Sequence, residues 1–429
     1  MGRRLAAGLI WEMKKVRANA ALLVFGRTVL FVGLAVGLSA CAGRPTGDLK
    51  PVAALAPPGA SVVDILVATT RAPDANPAVL FSGERARGVA FADISVSIPP
   101  DAVRAVGEVQ WPSSTPGDPA RDFITRSAAP MVLTQARERL DRRLDASSSR
   151  HVLVFVHGYN TRFEEAVYRF AQIAHDAHAD VLPVLFTWPS RGKTLDYVYD
   201  RESAIYSRDA LEAVLKALVE DRHVAKVSVL AHSMGNLVAI EALRQMAIRD
   251  RKLSPKIVDV MLAAPDIDLD VFRRQIASIR AVGELPPITL FASQDDRALG
   301  ISRLLAGDQQ RLGAIDPAAE PAKSILAEAN VRVVDLTKVQ ASDSARHGKF
   351  AGGSVILSIG ARLASGQKLN DAKSSFSDTI SNATVGAAAL VGHTAALAVS
   401  TPFAVVDPAS REEFGERSAN VTRRLGLGN

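Results

Sequence analysis

Residues 227–236 read Val-Ser-Val-Leu-Ala-His-Ser-Met-Gly-Asn. A β-branched apolar run stops at a serine held between small residues. A helical pattern then starts at once, with Leu237, Val238, Ile240, Leu243 and Met246 apolar. The spacing predicts strand, tight turn and helix, with the Ser233 hydroxyl presented on the turn at the end of a sheet. A strained serine backbone brings strand and helix close, so small residues are needed two positions to either side. Ala231 stands where glycine is usual, giving the pattern A-x-S-x-G. The bland alternative is a serine that merely caps a helix.

An alkyl alcohol becomes a useful nucleophile only when a base takes its proton, and the base needs an acid to fix its tautomer. With this kind of turn the chain order is Ser, then Asp or Glu, then His. Of the eight histidines only His347 and His393 follow every plausible acid. His347 sits in the polar stretch Ser-Ala-Arg-His-Gly-Lys, soon after the strand-like Val331–Leu336, whereas His393 lies in a long uncharged Ala/Gly/Val stretch. His347 is therefore the expected base. For the acid, the apolar run Ile288–Ser293 ends at Gln294-Asp295-Asp296-Arg297. Ligand-facing groups emerge at such strand ends in an open α/β sheet. Asp296 is the first choice, Asp295 the second, and Asp266 and Asp268 compete after the strand Ile257–Ala264; any of them could instead cap the next helix.

Acyl transfer also needs donors aimed at the developing oxyanion, and preorganised backbone N–H groups serve best. One is expected from Met234, which follows the serine. The other is expected from Tyr159, in the loop His157-Gly158-Tyr159-Asn160 after the apolar strand beginning at His151. His157 itself reads as a loop-stabilising residue.

Together, His157–Asn160, Phe186-Thr187-Trp188-Pro189-Ser190 and Ala231–Asn236 resemble an uncharacterised bacterial α/β-hydrolase family of esterase/lipase-like proteins. Further matches are Thr69-Thr70-Arg71, Ala264-Pro265-Asp266-Ile267-Asp268 and Asp296-Arg297-Ala298-Leu299. The resemblance spans roughly residues 60 to 360. It implies an α/β-hydrolase fold and Ser233, Asp296 and His347 as a triad, and it supplies no substrate.

Around these residues, strand and helix patterns alternate: His151–Val156, Phe163–Ala177, Leu182–Trp188, Ser203–Leu218, Lys226–Leu230, Asn236–Ala247. Such alternation predicts a mostly parallel central sheet with helices on both faces. Val62–Thr69 and Ile94–Ile98 read as an antiparallel N-terminal edge, separated by turn-rich sequence. Trp111 to Ala129 reads as a loop, and helical periodicity returns at Met131–Leu144. Arg191–Arg201, with Tyr197 and Tyr199, reads either as a wall of an acyl pocket or as solvated loop. No metal-ligand cluster, P-loop or dinucleotide fingerprint is visible, and no cofactor is expected.

The single cysteine closes an apolar run from Thr28 to Ala40 that follows Lys14, Lys15, Arg17 and Arg27. A positive segment, a short apolar segment and a small-residue site make an export signal rather than a finished membrane span. The ending Leu38-Ser39-Ala40-Cys41 resembles a bacterial lipobox, which implies lipidation of Cys41; with no second cysteine, no disulfide competes. Met13 reads as a more natural start than Met1. The expected organisation is an export signal at 1–40, a tether at 41–60, the hydrolase domain at 61–360 and an Ala/Gly-rich extension at 361–429. Within that extension, Thr379–Val406 carries no charge beyond His393. It reads as a packing or contact helix, its small and hydroxylated residues being weak candidates for membrane insertion. Residues 1–40 hold six of the 51 Lys and Arg but one of the 45 Asp and Glu, so the remainder is nearly neutral. Nothing there favours a nucleic-acid partner.

The resulting expectation is a lipid-anchored serine hydrolase of the bacterial envelope, held at the outer membrane and facing the periplasm, because Ala42 is no acidic retention signal. It would cleave a small-molecule or lipid ester through an acyl-enzyme. The rival from another class is an envelope scaffold that kept the hydrolase fold with little turnover.

Overall fold

The computed structural model describes residues 47–365 other than 54, 55, 115 and 342; Cys41 and the 379–406 stretch lie outside the described residues. The strands are β1 (Ser61–Pro73), β2 (Phe81–Ile98), β3 (Ile124–Met131), β4 (His151–Val156), β5 (Leu182–Thr187), β6 (Lys226–His232), β7 (Ile257–Ala263), β8 (Ile288–Ala292) and β9 (Val331–Asp335). The helices are α1 (Leu133–Asp145), α2 (Phe163–Asp176), α3 (Tyr197–Glu220), α4 (Gly235–Asp250), α5 (Leu269–Arg280), α6 (Arg297–Leu305), α7 (Ala322–Glu328) and α8 (Gly353–Ser365). None of the described helices is long and apolar enough to cross a membrane.

All nine strands form one sheet in the order β3-β2-β1-β5-β4-β6-β7-β8-β9. Neighbours from β1 to β9 pair in parallel, whereas β2 runs antiparallel to both β1 and β3. This is the α/β-hydrolase-type architecture expected, mostly parallel with an antiparallel N-terminal edge. A strand buried on both faces must be apolar wherever no polar partner is at hand, and β4 is apolar from Val152 to Val156, while its buried His151 meets Ser228 Oγ at 2.9 Å. Its Val152, Val154 and Val156 point into one core with Leu211 and Leu215 of α3, Val238 and Leu243 of α4 and Phe272 of α5. Its Leu153 and Phe155 point into the other, with Val167 and Phe170 of α2 and Val355 and Ile359 of α8. Full burial of each such side chain contributes roughly 1.5–3 kcal/mol. The chain leaves β4 for β5 on one side and later for β6 on the other. That reversal opens a crevice at the carboxyl ends of β4 and β6.

Five segments differ from the expectation. Ile124–Ala129 is strand rather than loop, because β3 pairs with β2 at the sheet edge. There Arg126 and Ser127 can face solvent, and Pro130 can lack its N–H. β2 begins thirteen residues before Ile94, at Phe81, its charged first half being carried by pairing to β1. Arg191–Arg201 is mostly helical: a single turn at Thr194–Asp196 leads into α3 at Tyr197. At the domain limits, Leu49 is buried in the core within the stretch read as tether. The Asp48 carbonyl there accepts bonds from Thr125 and Tyr168. At the other limit, α8 runs past residue 360, with Leu363 buried.

Candidate active site

Ser233 follows the last residue of β6 with φ +52°, in the left-handed region. For a non-glycine residue this costs on the order of 1–3 kcal/mol and persists only where the surroundings fix it. They do so through backbone bonds. The Ser233 N–H donates to Ala263 O at 2.9 Å, and its carbonyl accepts from Asn236 N at 3.1 Å and Asp266 N at 3.2 Å. The Asn236 side chain adds bonds to Ser233 O and Ala263 O. The tightness explains the flanking small residues. A Cβ on Gly235 would lie 2.3 Å from His157 O, and one on Gly158 would lie 2.8 Å from Ser233 Cβ. Ala231 is accommodated because its methyl is part of the buried core. Gly158→Ala is expected to lower both stability and turnover, since the opposing atoms belong to the turn itself; thermal melting and ester hydrolysis measured together would check this.

Asp296 and His347 are joined by a 2.7 Å hydrogen bond from Nδ1 to Oδ2. Burial pushes the His347 imidazolium down, but the charge of Asp296 and its hydrogen bond outweigh that, so its pKa is raised above 6.5. The other Asp296 oxygen accepts from Leu299 N at 3.0 Å and caps α6. The loop carrying His347 is fixed from several sides. Asp343 accepts from His347 N and Gly348 N at 3.0 and 2.8 Å, and Arg297 N donates to Ala345 O. Lys349 is buried, its Nζ donating to Ser293 Oγ, Asp295 Oδ1, Leu336 O and Thr337 O.

The competing acids point elsewhere. Asp295 is engaged by Lys349 at 2.6 Å and Arg346 at 2.9 Å. Burial raises its pKa, and those cations with Ser293 outweigh it to give a net lowering. Asp266 accepts from Ser302 Oγ at 2.5 Å and Tyr197 Oη at 3.0 Å, beside Arg311 Nε at 3.3 Å. Asp268 caps α5. Among the described residues no hydrogen bond joins Ser233 Oγ to His347; the contact between their loops runs through His232. Such bonds are commonly long without substrate and tighten on binding.

The loop after β4 carries Gly158 and Tyr159, with Gly158 against the Ser233 turn. Its His157 stacks on Trp188 with centroids 4.9 Å apart. It accepts from Trp188 N at Nε2 and donates from Nδ1 to Gly158 O. Burial, then the charge of Arg71, lowers its pKa to about 3, so it is a neutral strut. Tyr159 rests edge-on against Tyr197 and bonds Thr194 O. Met234 opens α4 directly after Ser233. Arg71 underlies the loop. Its buried guanidinium donates to Ser190 O and Thr161 O at 2.8 Å and to Ser82 O at 3.2 Å. Burial lowers its pKa to about 10. Arg71→Met would leave these carbonyls without their donor and is expected to cost about 3 kcal/mol or more. Arg71→Lys should not rescue it, because one ammonium cannot span the same acceptors; urea unfolding of both variants would check this.

Arg71, His232 and Lys349 were not singled out by sequence reasoning. Arg71 and His232 stand inside the motifs quoted above, which is the one signal that could have raised them. The described residues also bring ligand atoms of Asp141, Asp221 and His223 within 4.8 Å of one another. This lies at the opposite ends of the strands. There His223 Nδ1 bonds Asp145 and Nε2 accepts from Arg222, a hydrogen-bonded network in which both ring nitrogens are engaged.

The sequence matches, over residues 133–363, the family described as Alpha/beta hydrolase of unknown function (DUF900). An uncharacterised protein of Nostoc sp. is 26% identical over 128 residues, covering 24% of this chain and 33% of that protein. The chain thus matches about a third of the length of this curated relative. Among solved structures, the esterase Pf2001 of Pyrococcus furiosus is 16% identical with a TM-score of 0.30, covering 51% of this chain and 82% of its own. Fungal esterases of Rhizomucor miehei give 14% identity and a TM-score of 0.29, covering 80% and 91%.

Proposed function

Because the chain belongs to the α/β-hydrolase family of unknown function matched over residues 133–363, we propose that it is a serine hydrolase acting on carboxylic esters. The observation that carries this reading is the 2.7 Å Asp296–His347 pair on a loop packed against the residue next to the strained Ser233. Asp296 holds the proton on Nδ1, which leaves Nε2 to act as the base. Ser233 Oγ attacks the ester carbonyl carbon as its proton passes to His347 Nε2. The tetrahedral oxyanion is held by the N–H groups of Met234 and Tyr159. Collapse breaks the bond to the alcohol, which leaves with the proton from Nε2. Water then attacks the acyl-enzyme, gives a proton to Nε2, and releases the carboxylic acid and free Ser233.

Reaction of the full chain with a fluorophosphonate probe, followed by peptide mapping, tests this. An adduct on Ser233 is expected, and folded protein that takes up no probe would favour the scaffold instead. The base works unprotonated, so kcat/KM is expected to fall as pH drops through a midpoint above 6.5, the ordinary histidine value, since the His347 pKa is raised. A pH–rate profile checks it. Lipid anchoring through Cys41 and residence in the bacterial envelope complete the proposal on sequence alone. Incorporation of a fatty-acid label that disappears in Cys41→Ser is the expected result.

A further inference from the structure

His232, the last residue of β6, meets three separately folded pieces of the site. Towards the β4 loop, a Cβ on Gly158 would fall 2.9 Å from its Nδ1, so only glycine leaves it room. Towards the other loop, its ring stacks on Phe350 at 4.5 Å and 28° and meets the His347 ring at 4.7 Å. Its Nε2 donates to the His347 carbonyl at 3.4 Å. Covalently it adjoins Ser233.

We propose that His232 is a positioning residue that sets the His347 loop against the Ser233 turn and the Gly158 loop. This rests on the Ser233–His347–Asp296 reading. The residue type follows from the surroundings. An aliphatic side chain would leave the His347 carbonyl without its donor. A Lys or Arg would place a permanent cation beside an imidazole that must become positive during turnover. Imidazole fills the space, stacks and donates. Burial, reinforced by the His347 imidazole whenever it is protonated and by the nearby Arg169 cation, holds its pKa well below 6.5, so it stays neutral.

The test compares His232→Phe, His232→Ala and Ser233→Ala in the full chain, measuring kcat and KM for p-nitrophenyl butyrate across the neutral pH range and the melting temperature of each. His232→Phe keeps the stack and loses the donor, so kcat should fall about 10-fold. His232→Ala loses both and should fall about 100-fold, the scale of an ångström misplacement. KM should stay within about twofold in each. In His232→Ala the acidic limb should also move to higher pH, because water reaching His347 relieves the burial that lowers its pKa. Folded His232 variants with wild-type kcat and an unmoved limb overturn the inference, as does a loss that merely tracks the fraction unfolded. If His232→Ala does not fold, His232→Phe decides. Turnover surviving in Ser233→Ala would instead bring down the underlying reading; a dead Ser233→Ala beside unaffected His232 variants would bring down this inference alone.

Discussion

Ser233→Ala is expected to reduce ester turnover by roughly 10⁵-fold, the scale seen when a covalent nucleophile is removed. The fold should survive. The turn is held by backbone bonds to Ala263, Asn236 and Asp266, which do not use the hydroxyl. Ser233→Gly sharpens the prediction. At φ +52° glycine has no side chain to strain, so this variant should be about 1 kcal/mol more stable than the wild type and equally inactive. Calorimetry and turnover on the same samples would show stability and activity moving in opposite directions. Retention of appreciable activity in either variant would remove Ser233 from the chemistry.

Asp296→Asn should lower kcat by about 10³- to 10⁴-fold, because an amide no longer fixes the imidazole tautomer or balances its charge. Asparagine is also a good helix cap, so α6 should remain intact. The sign of the pH effect follows from the opposing influences on His347. Without the Asp296 charge, burial is opposed only by the smaller influences of Asp266 and Asp343 and its pKa falls, so the residual activity should persist to lower pH than in the wild type. Asp295→Asn should behave in the reverse way. It removes the charge facing Lys349 and Arg346, leaving a buried ammonium poorly compensated. That should cost about 2–4 kcal/mol of stability while turnover per folded molecule changes by less than about tenfold. Denaturant unfolding beside pH–rate profiles checks both, and the opposite ranking would move the acid to Asp295.

The parallel part of the sheet was legible because burial on both faces forces unbroken apolar runs such as Val152–Val156. Its edge was not. β3 and the first half of β2 are held by backbone pairing and turn charged side chains to solvent, so no pattern of hydrophobicity marks them. The serine turn could be read because steric crowding dictates residue types at fixed offsets. Asp296, the first choice for the acid, does meet His347, but no pattern separates it from the adjacent Asp295, because their directions depend on the turn between β8 and α6. The anchoring roles of Arg71 and Lys349 were invisible for a related reason. Both are cations whose acceptors are mostly main-chain carbonyls brought in by tertiary folding.

The strand order carries a practical corollary for trimming the protein. β1 lies outside residues 133–363, yet it pairs with β5 in the interior of the sheet and delivers Arg71 beneath the His157 loop. A polypeptide cut back to the matched region would bare the ladder of β5, inviting edge-to-edge association, and would strip the guanidinium clasp from that loop. Its N-terminal hairpin is therefore an integral wall of the enzyme, and shortened versions for crystallisation or screening should begin before Leu49.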